Sequence, residues 1–140
     1  MTVETGRDIL LLTEQPLSLD ELYRAVESEE TGAIVTFSGI VRRTEKGRAI
    51  DALDYEHYAA LAEKELRRLM DEARRRWPIQ RIALAHRAGR VEVAESSVIV
   101  VVGAAHRAEA FEACRFLIDE LKKSAPIWKS VSGENEAAKS

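Results

Sequence analysis

The sequence predicts an α+β domain in which a mainly antiparallel sheet carries helices on one side. Two observations carry this. Segments rich in β-branched and aromatic residues, such as AIVTFSGIV (Ala33 to Val41) and SVIVVV (Ser97 to Val102), are interspersed with long stretches of helical apolar spacing. The order they take is roughly β–α–β–β–α–β–β–β–α, which lacks the strict βα alternation of a parallel α/β fold. A length of 140 residues is enough for one domain with a real core. The expected division is a single domain over 1–130 and a polar, disordered tail over 131–140.

The elements follow in chain order. Asp8 to Leu12 suits a short edge strand. In LSLDELYRAVES, Ser18 and Glu21 have the spacing of a capping box, with Leu17 and Leu22 at the staple positions. Leu19, Leu22, Tyr23 and Val26 form the apolar face of that helix, which is expected to end near Glu30 before Gly32. Ala33 to Val41 is a strand, with Gly39 marking a bulge or a close approach of another segment. RRTEKGRA is a charged loop, read as longer than a tight hairpin turn and mobile. IDALDYEHY alternates, placing Leu53, Tyr55 and His57 on one side of a half-buried strand. Ala59 to Trp77 carries an apolar stripe of Leu61, Ala62, Leu66, Leu69, Met70, Ala73 and Trp77, and Pro78 ends it. Strands follow at Arg81 to Arg87, at Val91 to Val93 and at Ser97 to Val102. A last helix, about Ala108 to Lys123, turns Phe111, Cys114, Leu117, Ile118 and Leu121 inward. Pro126 stops it.

Composition excludes several classes. The chain is 46% hydrophobic and 32% charged, as in ordinary globular domains, and its net charge of -3 argues against a general nucleic-acid binder. Local basic patches remain at Arg42-Arg43, at Arg74-Arg75-Arg76 and among the last lysines. No apolar run approaches the roughly 18 residues of a membrane span, and the start lacks a secretory signal. The single cysteine, Cys114, has no internal disulfide partner and reads as a buried small hydrophobe. A cytoplasmic protein is expected. There is no Cys pair or HExxH for zinc, no GxGxxG or GxxxxGK[ST] for nucleotides, and no GxSxG elbow. No cofactor and no metal site are expected.

What remains is an anion-binding pattern. Gly103 to Lys129 runs from a strand end through GAAHR into the last helix and out to SAPIWK. His106 and Arg107 open the helix, where free N–H groups favour an anion. Arginine adds a planar two-bond fork and histidine a proton donor; the alternative is a capping histidine beside a surface arginine. Lys122 and Lys129 flank the helix exit. A lysine there also satisfies the last carbonyls and the helix dipole, which favours the protonated amine. Arg42, after another strand, is either a further anion contact or a plain surface charge. His86 suits a structural role, and His57 a core or interface role.

The segments FSGIVR, LDYEHY, EARRRWP, RIALAHRAG, AAHRAEAFEACRFLIDELK and PIWK together resemble the catalytic, large subunit of molybdopterin synthase. The resemblance covers about Leu17 to Lys129. It implies an α/β-hammerhead fold with an additional small antiparallel sheet, and a central homodimer with a small ubiquitin-like subunit at each end. The small subunit's C-terminal Gly-Gly would carry a thiocarboxylate into a pocket of the large subunit. The implied reaction places two sulfurs on cyclic pyranopterin monophosphate and makes the molybdopterin dithiolene. Molybdenum or tungsten is later held by that product, not by this subunit. By motif, Lys122 of DELK and Lys129 of PIWK match the family's essential lysines. Arg42 of GIVR, with His106 and Arg107 of AHR, would bind the pterin phosphate or polarise the intermediate, some of them at the neighbour's site. Two departures stand out. Ala105 replaces a serine common in relatives, and the tail SVSGENEAAKS is short and polar. The competing expectation is a docking protein that binds a ubiquitin-like partner without catalysis.

Overall fold

The computed structural model describes residues 2–5, 8–132 and 137–139. Five strands make the main sheet: β1 (Thr2–Thr5), β2 (Asp8–Thr13), β7 (Ile79–Arg87), β9 (Ser96–Ala104) and β3 (Ala33–Ile40), in the order β1-β2-β7-β9-β3. Only the β2–β7 pair is parallel. A second sheet has the order β11-β10-β6-β8, from β11 (Ala137–Lys139), β10 (Ile127–Val131), β6 (Ala52–His57) and β8 (Gly89–Glu92). β4 (Thr44–Glu45) and β5 (Arg48–Ala49) form a separate hairpin. The helices are α1 (Leu19–Val26), α2 (Ala59–Arg76) and α3 (Arg107–Ser124). This is the expected α+β class with its additional small sheet.

The helices do not share one side. Along β7 and β9, Ile82, Leu84, Val98, Val100 and Val102 join the large core with α2, α3 and the small sheet. The alternate residues Ala83, Ala85, Ile99 and Val101 form a second cluster with Leu22 and Val26 of α1. Both faces of these central strands are therefore apolar. A continuous run such as VIVVV signals two-sided burial, which one-sided helix packing does not provide.

Other boundaries shift for local reasons. β2 is not an edge strand, because β1 pairs outside it. Helix α1 begins as expected, with the Glu21 amide donating to Ser18 Oγ at 3.2 Å. It stops at Val26, shorter than expected, and Glu27 caps it in extended backbone. The bulge expected at Gly39 is present as a register shift between Gly39 and Ile40. The expected long loop is instead the tight β4–β5 hairpin. Lys46 and Gly47 both have positive φ, 51° and 77°, as a two-residue type I′ turn requires. Leu61 and Phe111 are about 60% exposed rather than inward. The buried stripe of α3 runs through Ala110, Ala113, Cys114, Leu117, Ile118 and Leu121, leaving Phe111 at its margin. β10 follows Pro126, where the sequence predicts only the stop of the last helix. Within the tail expected to be disordered, Val131 ends β10 and Ala137–Lys139 pair with it as β11. Residues 133–136 and 140 of that tail lie outside the described residues.

The arginine run at the end of α2 does not form an open basic patch. Arg74 forks onto the Asp8 carboxylate, while Arg75 and Arg76 both pair with Glu72. The Asp8 carboxylate also accepts from the Ile82 amide at 3.0 Å, so this contact ties α2 to the main sheet.

At Gly103, α1 approaches the sheet closely. A Cβ there would lie 2.6 Å from Val26 Cγ1 and 3.3 Å from the Val26 carbonyl oxygen. Gly103→Ala should therefore destabilise the fold by about 1–3 kcal/mol, the usual cost of overpacking. Urea unfolding checks it, and an unchanged midpoint would contradict the packing described.

Candidate functional site

Three elements converge where α3 ends. Lys122 lies in its last turn, Arg42 follows β3, and Lys129 stands in the middle of β10. They line one cleft of about 200 Å³, together with Glu45, Tyr55 and Ser97. The positioning of Lys129 follows from strand pairing. β10 runs antiparallel to β6 with Lys129 directly opposite Tyr55, so both side chains emerge on the same face. Ile127, two residues earlier on that face, is buried in the core and anchors the strand. Trp128 points the other way and meets Tyr58 edge-on, with ring centroids 5.2 Å apart.

The cleft is strongly cationic. Arg42 and Lys122 are exposed, whereas the Lys129 side chain is 29% exposed and its Nζ lies 3.5 Å from Glu45 Oε2. Tyr55 forms part of the floor. Burial raises its phenol pKa, the hydrogen bond with Ser97 lowers it, and the charge of Glu45 raises it again. The net shift is upward, so the phenol stays protonated at neutral pH. Ser97 Oγ in turn donates to the Gly39 carbonyl at 3.3 Å. Cations gathered in one cleft can hold an anion and stabilise negative charge developing on it.

His106 and Arg107 are not in this cleft. Both are exposed at the opposite end of α3, whose α-helical rise separates Arg107 from Lys122 by about 22 Å. His106 occupies the N-cap position in extended backbone but makes no side-chain capping bond. The alternative of a capping histidine therefore lacks its hydrogen bond.

His86 lies behind the cleft, 1% exposed, with its ring 5.3 Å from that of Tyr55. Its Nδ1 lies 2.8 Å from the Arg87 carbonyl, which can only accept, so Nδ1 carries the proton. Burial pushes its pKa from 6.5 down to about 4; the Arg87 carbonyl opposes that shift, and the charges of His57 and Lys122 add to it. The unfolded chain therefore takes up this proton at a higher pH than the native one. The contribution of a neutral His86 is fully present above pH 6.5 and is lost as pH falls toward about 4. That loss amounts to about 3 kcal/mol. Urea unfolding at pH 7 and pH 4.5 should show most of it, and His86→Gln should remove that part of the slope. An identical slope in the variant would assign the acid sensitivity elsewhere.

Cys114 is buried, and burial lifts its thiol pKa to about 11, in keeping with a core residue. Among the described residues, no group of three or more His, Cys, Asp or Glu side chains is placed to hold a metal. No described helix is long and apolar enough to cross a membrane.

Glu45, Tyr55 and Ser97 were not singled out as site residues from the sequence. Tyr55 was legible only as an inward residue of an alternating strand. Glu45 sits in a charged stretch without a distinguishing pattern, and only the hairpin brings it to Lys129.

Comparison with known proteins agrees with this architecture. The family model described as MoaE protein matches residues 12–124. The molybdopterin synthase catalytic subunit of Bos taurus is 43% identical over 126 residues, spanning 90% of this chain and 67% of that protein. The crystal structure of molybdopterin synthase from Staphylococcus aureus superposes with a TM-score of 0.85 at 29% identity, covering 96% of both chains. A chain in the complex of subunits 1 and 2 of molybdopterin-converting factor from Helicobacter pylori 26695 matches with a TM-score of 0.76 at 28% identity, over 93% of this chain and 88% of that one. With a matching family model over most of its length and relatives above 40% identity, the chain belongs to the MoaE family, the molybdopterin synthase catalytic (large) subunits.

Proposed function

We propose that this chain is the catalytic subunit of a molybdopterin synthase. It moves sulfur from the C-terminal thiocarboxylate of a small ubiquitin-like partner to cyclic pyranopterin monophosphate. The observation that carries the reading is the convergence of Arg42, Lys122 and Lys129 on one cleft. A second subunit in the related Helicobacter pylori complex supports the partner.

Residue roles follow from placement. Lys122, exposed at the rim, orients the thiocarboxylate terminus and offsets its charge. Lys129, half-buried opposite Tyr55, acts at the substrate and stabilises negative charge on the reacting oxygen or carries its proton. Arg42 binds the phosphate by its planar fork. The partner's flexible tail is captured at the cleft. The thiocarboxylate sulfur forms a bond to a side-chain carbon of the pterin as that carbon loses its bond to oxygen. This leaves the sulfur linked to the partner's terminal acyl group. Water then adds to the acyl carbon, the carbon–sulfur bond to the partner breaks, and the partner leaves as a carboxylate. A second charged partner repeats the transfer. Each sulfur is exchanged for oxygen, so no external oxidant or reductant is needed.

His106 and Arg107 enter from a second copy of the chain. The offset of Arg107 from Lys122 by about 22 Å along α3 supports a role at another subunit's cleft. In a homodimer they complete the neighbour's phosphate site.

The test is a purified mixture of this chain, a cognate small subunit ending in thiocarboxylate, and the cyclic pterin. Dithiolene product, read by mass and as its oxidised fluorescent pterin, is expected only when this chain is present. A stable complex without product would favour the docking reading.

A further inference from the structure

We infer that Glu45 is a built-in counter-anion of Lys129, which a bound substrate anion must displace. It is thus a positioning residue that sets the anion affinity of the cleft. The inference rests on the reading of this cleft as the substrate site. Three observations carry it. Glu45 Oε2 lies 3.5 Å from Lys129 Nζ, with only 19% of the Glu45 side chain exposed. Among the described residues, Glu45 is the one carboxylate lining the cleft, against the cations Arg42, Lys122 and Lys129. Its charge also reaches the floor, where it helps to raise the Tyr55 pKa.

The hairpin explains how an acid comes to sit among cations. Arg42 leaves β3 and the chain turns at Lys46 and Gly47, both at positive φ. That turn sets Glu45 at the end of β4, facing β10. Before an anion binds, the carboxylate neutralises Lys129 and holds its ammonium in place. An arriving phosphate competes for the same ammonium and is repelled by the same carboxylate. Anion binding is therefore weaker than three free cations would give. A ligand that engages Lys129 together with Arg42 overcomes this, whereas a simple monoanion with a single contact does not. The same competition helps to expel an anionic product.

The probe is inorganic phosphate, titrated calorimetrically into the purified full chain at low salt. Glu45→Gln keeps the shape and removes the charge. It should tighten phosphate binding by about three- to tenfold, the effect of one partly screened charge at contact distance. The factor should shrink at high salt. In a Lys129→Ala background the same change should have a clearly smaller effect, because the competition for that ammonium is gone and only the direct repulsion remains. Equal melting temperatures of Glu45→Gln and the parent chain would show that the fold is unaltered. With partner and pterin, Glu45→Gln should lower KM by the same factor without raising kcat. Unchanged or weaker phosphate binding in Glu45→Gln would overturn the inference, as would equal tightening in the Lys129→Ala background. If the parent chain shows no turnover with partner and pterin, the proposed reaction fails, and the phosphate titrations still decide the role of Glu45.

Discussion

Lys129→Ala should lower dithiolene formation by about 10²- to 10³-fold, the usual effect of removing one preorganised group that stabilises charge in a transition state. Lys129 differs from the other two cations of the cleft in burial and in support. Its side chain is 29% exposed and paired with Glu45, while Arg42 and Lys122 are open to solvent. A charge held in a partly dehydrated place interacts more strongly with a developing anion than one in water. The fold should survive the change. Lys129 is held in β10 by backbone pairing to both β6 and β11, and the apolar anchor of that strand is Ile127. The check is product formation by mass, beside thermal melting of the variant. Lys129→Arg should recover only part of the rate, since a planar fork replaces a compact ammonium. If Lys129→Ala and Lys122→Ala both kept full sulfur transfer, the assignment of these lysines would be wrong.

Mixing two inactive variants should restore activity to about a quarter of the parent level. The variants are Lys129→Ala and Arg107→Ala, each expected to lose most of its turnover alone. Arg107 lies about 22 Å along α3 from Lys122, beyond the reach of a side chain in the same subunit. If Arg107 serves the neighbour's cleft, a hybrid dimer carries one site with both residues intact and one with neither. Random exchange makes half of all dimers hybrid, and half of their sites are complete. That arithmetic follows from an isologous pairing in which each copy gives what it receives. The measurement is the rate of product formation after subunit exchange, compared with each variant alone. No recovery despite demonstrated exchange would place Arg107 outside the neighbour's site.

The sequence alone determined the class and most of the elements of this protein. Capping at Ser18, the stripe of α2, the alternation of Leu53 and Tyr55 in β6, and the bulge at Gly39 are local patterns. They reflect periodicity, hydrogen-bond chemistry and backbone sterics, all of which act between near neighbours. What the sequence did not reveal depends on partners distant in the chain. The apolar run in β9 reads as a strand in either case, and only packing on both faces places α1 opposite α2 and α3. PIWK carries too few residues to declare a strand, and it becomes β10 by pairing with a strand some seventy residues earlier. That pairing sets Lys129 against Tyr55, and the Lys46–Gly47 turn brings Glu45 to it. The candidate residues were thus visible as charges at element ends. Which of them share a cleft was decided by tertiary structure, because an α-helix separates its two ends by its own length. Arg42, Lys122 and Lys129 meet at one end of α3, and His106 and Arg107 stand at the other.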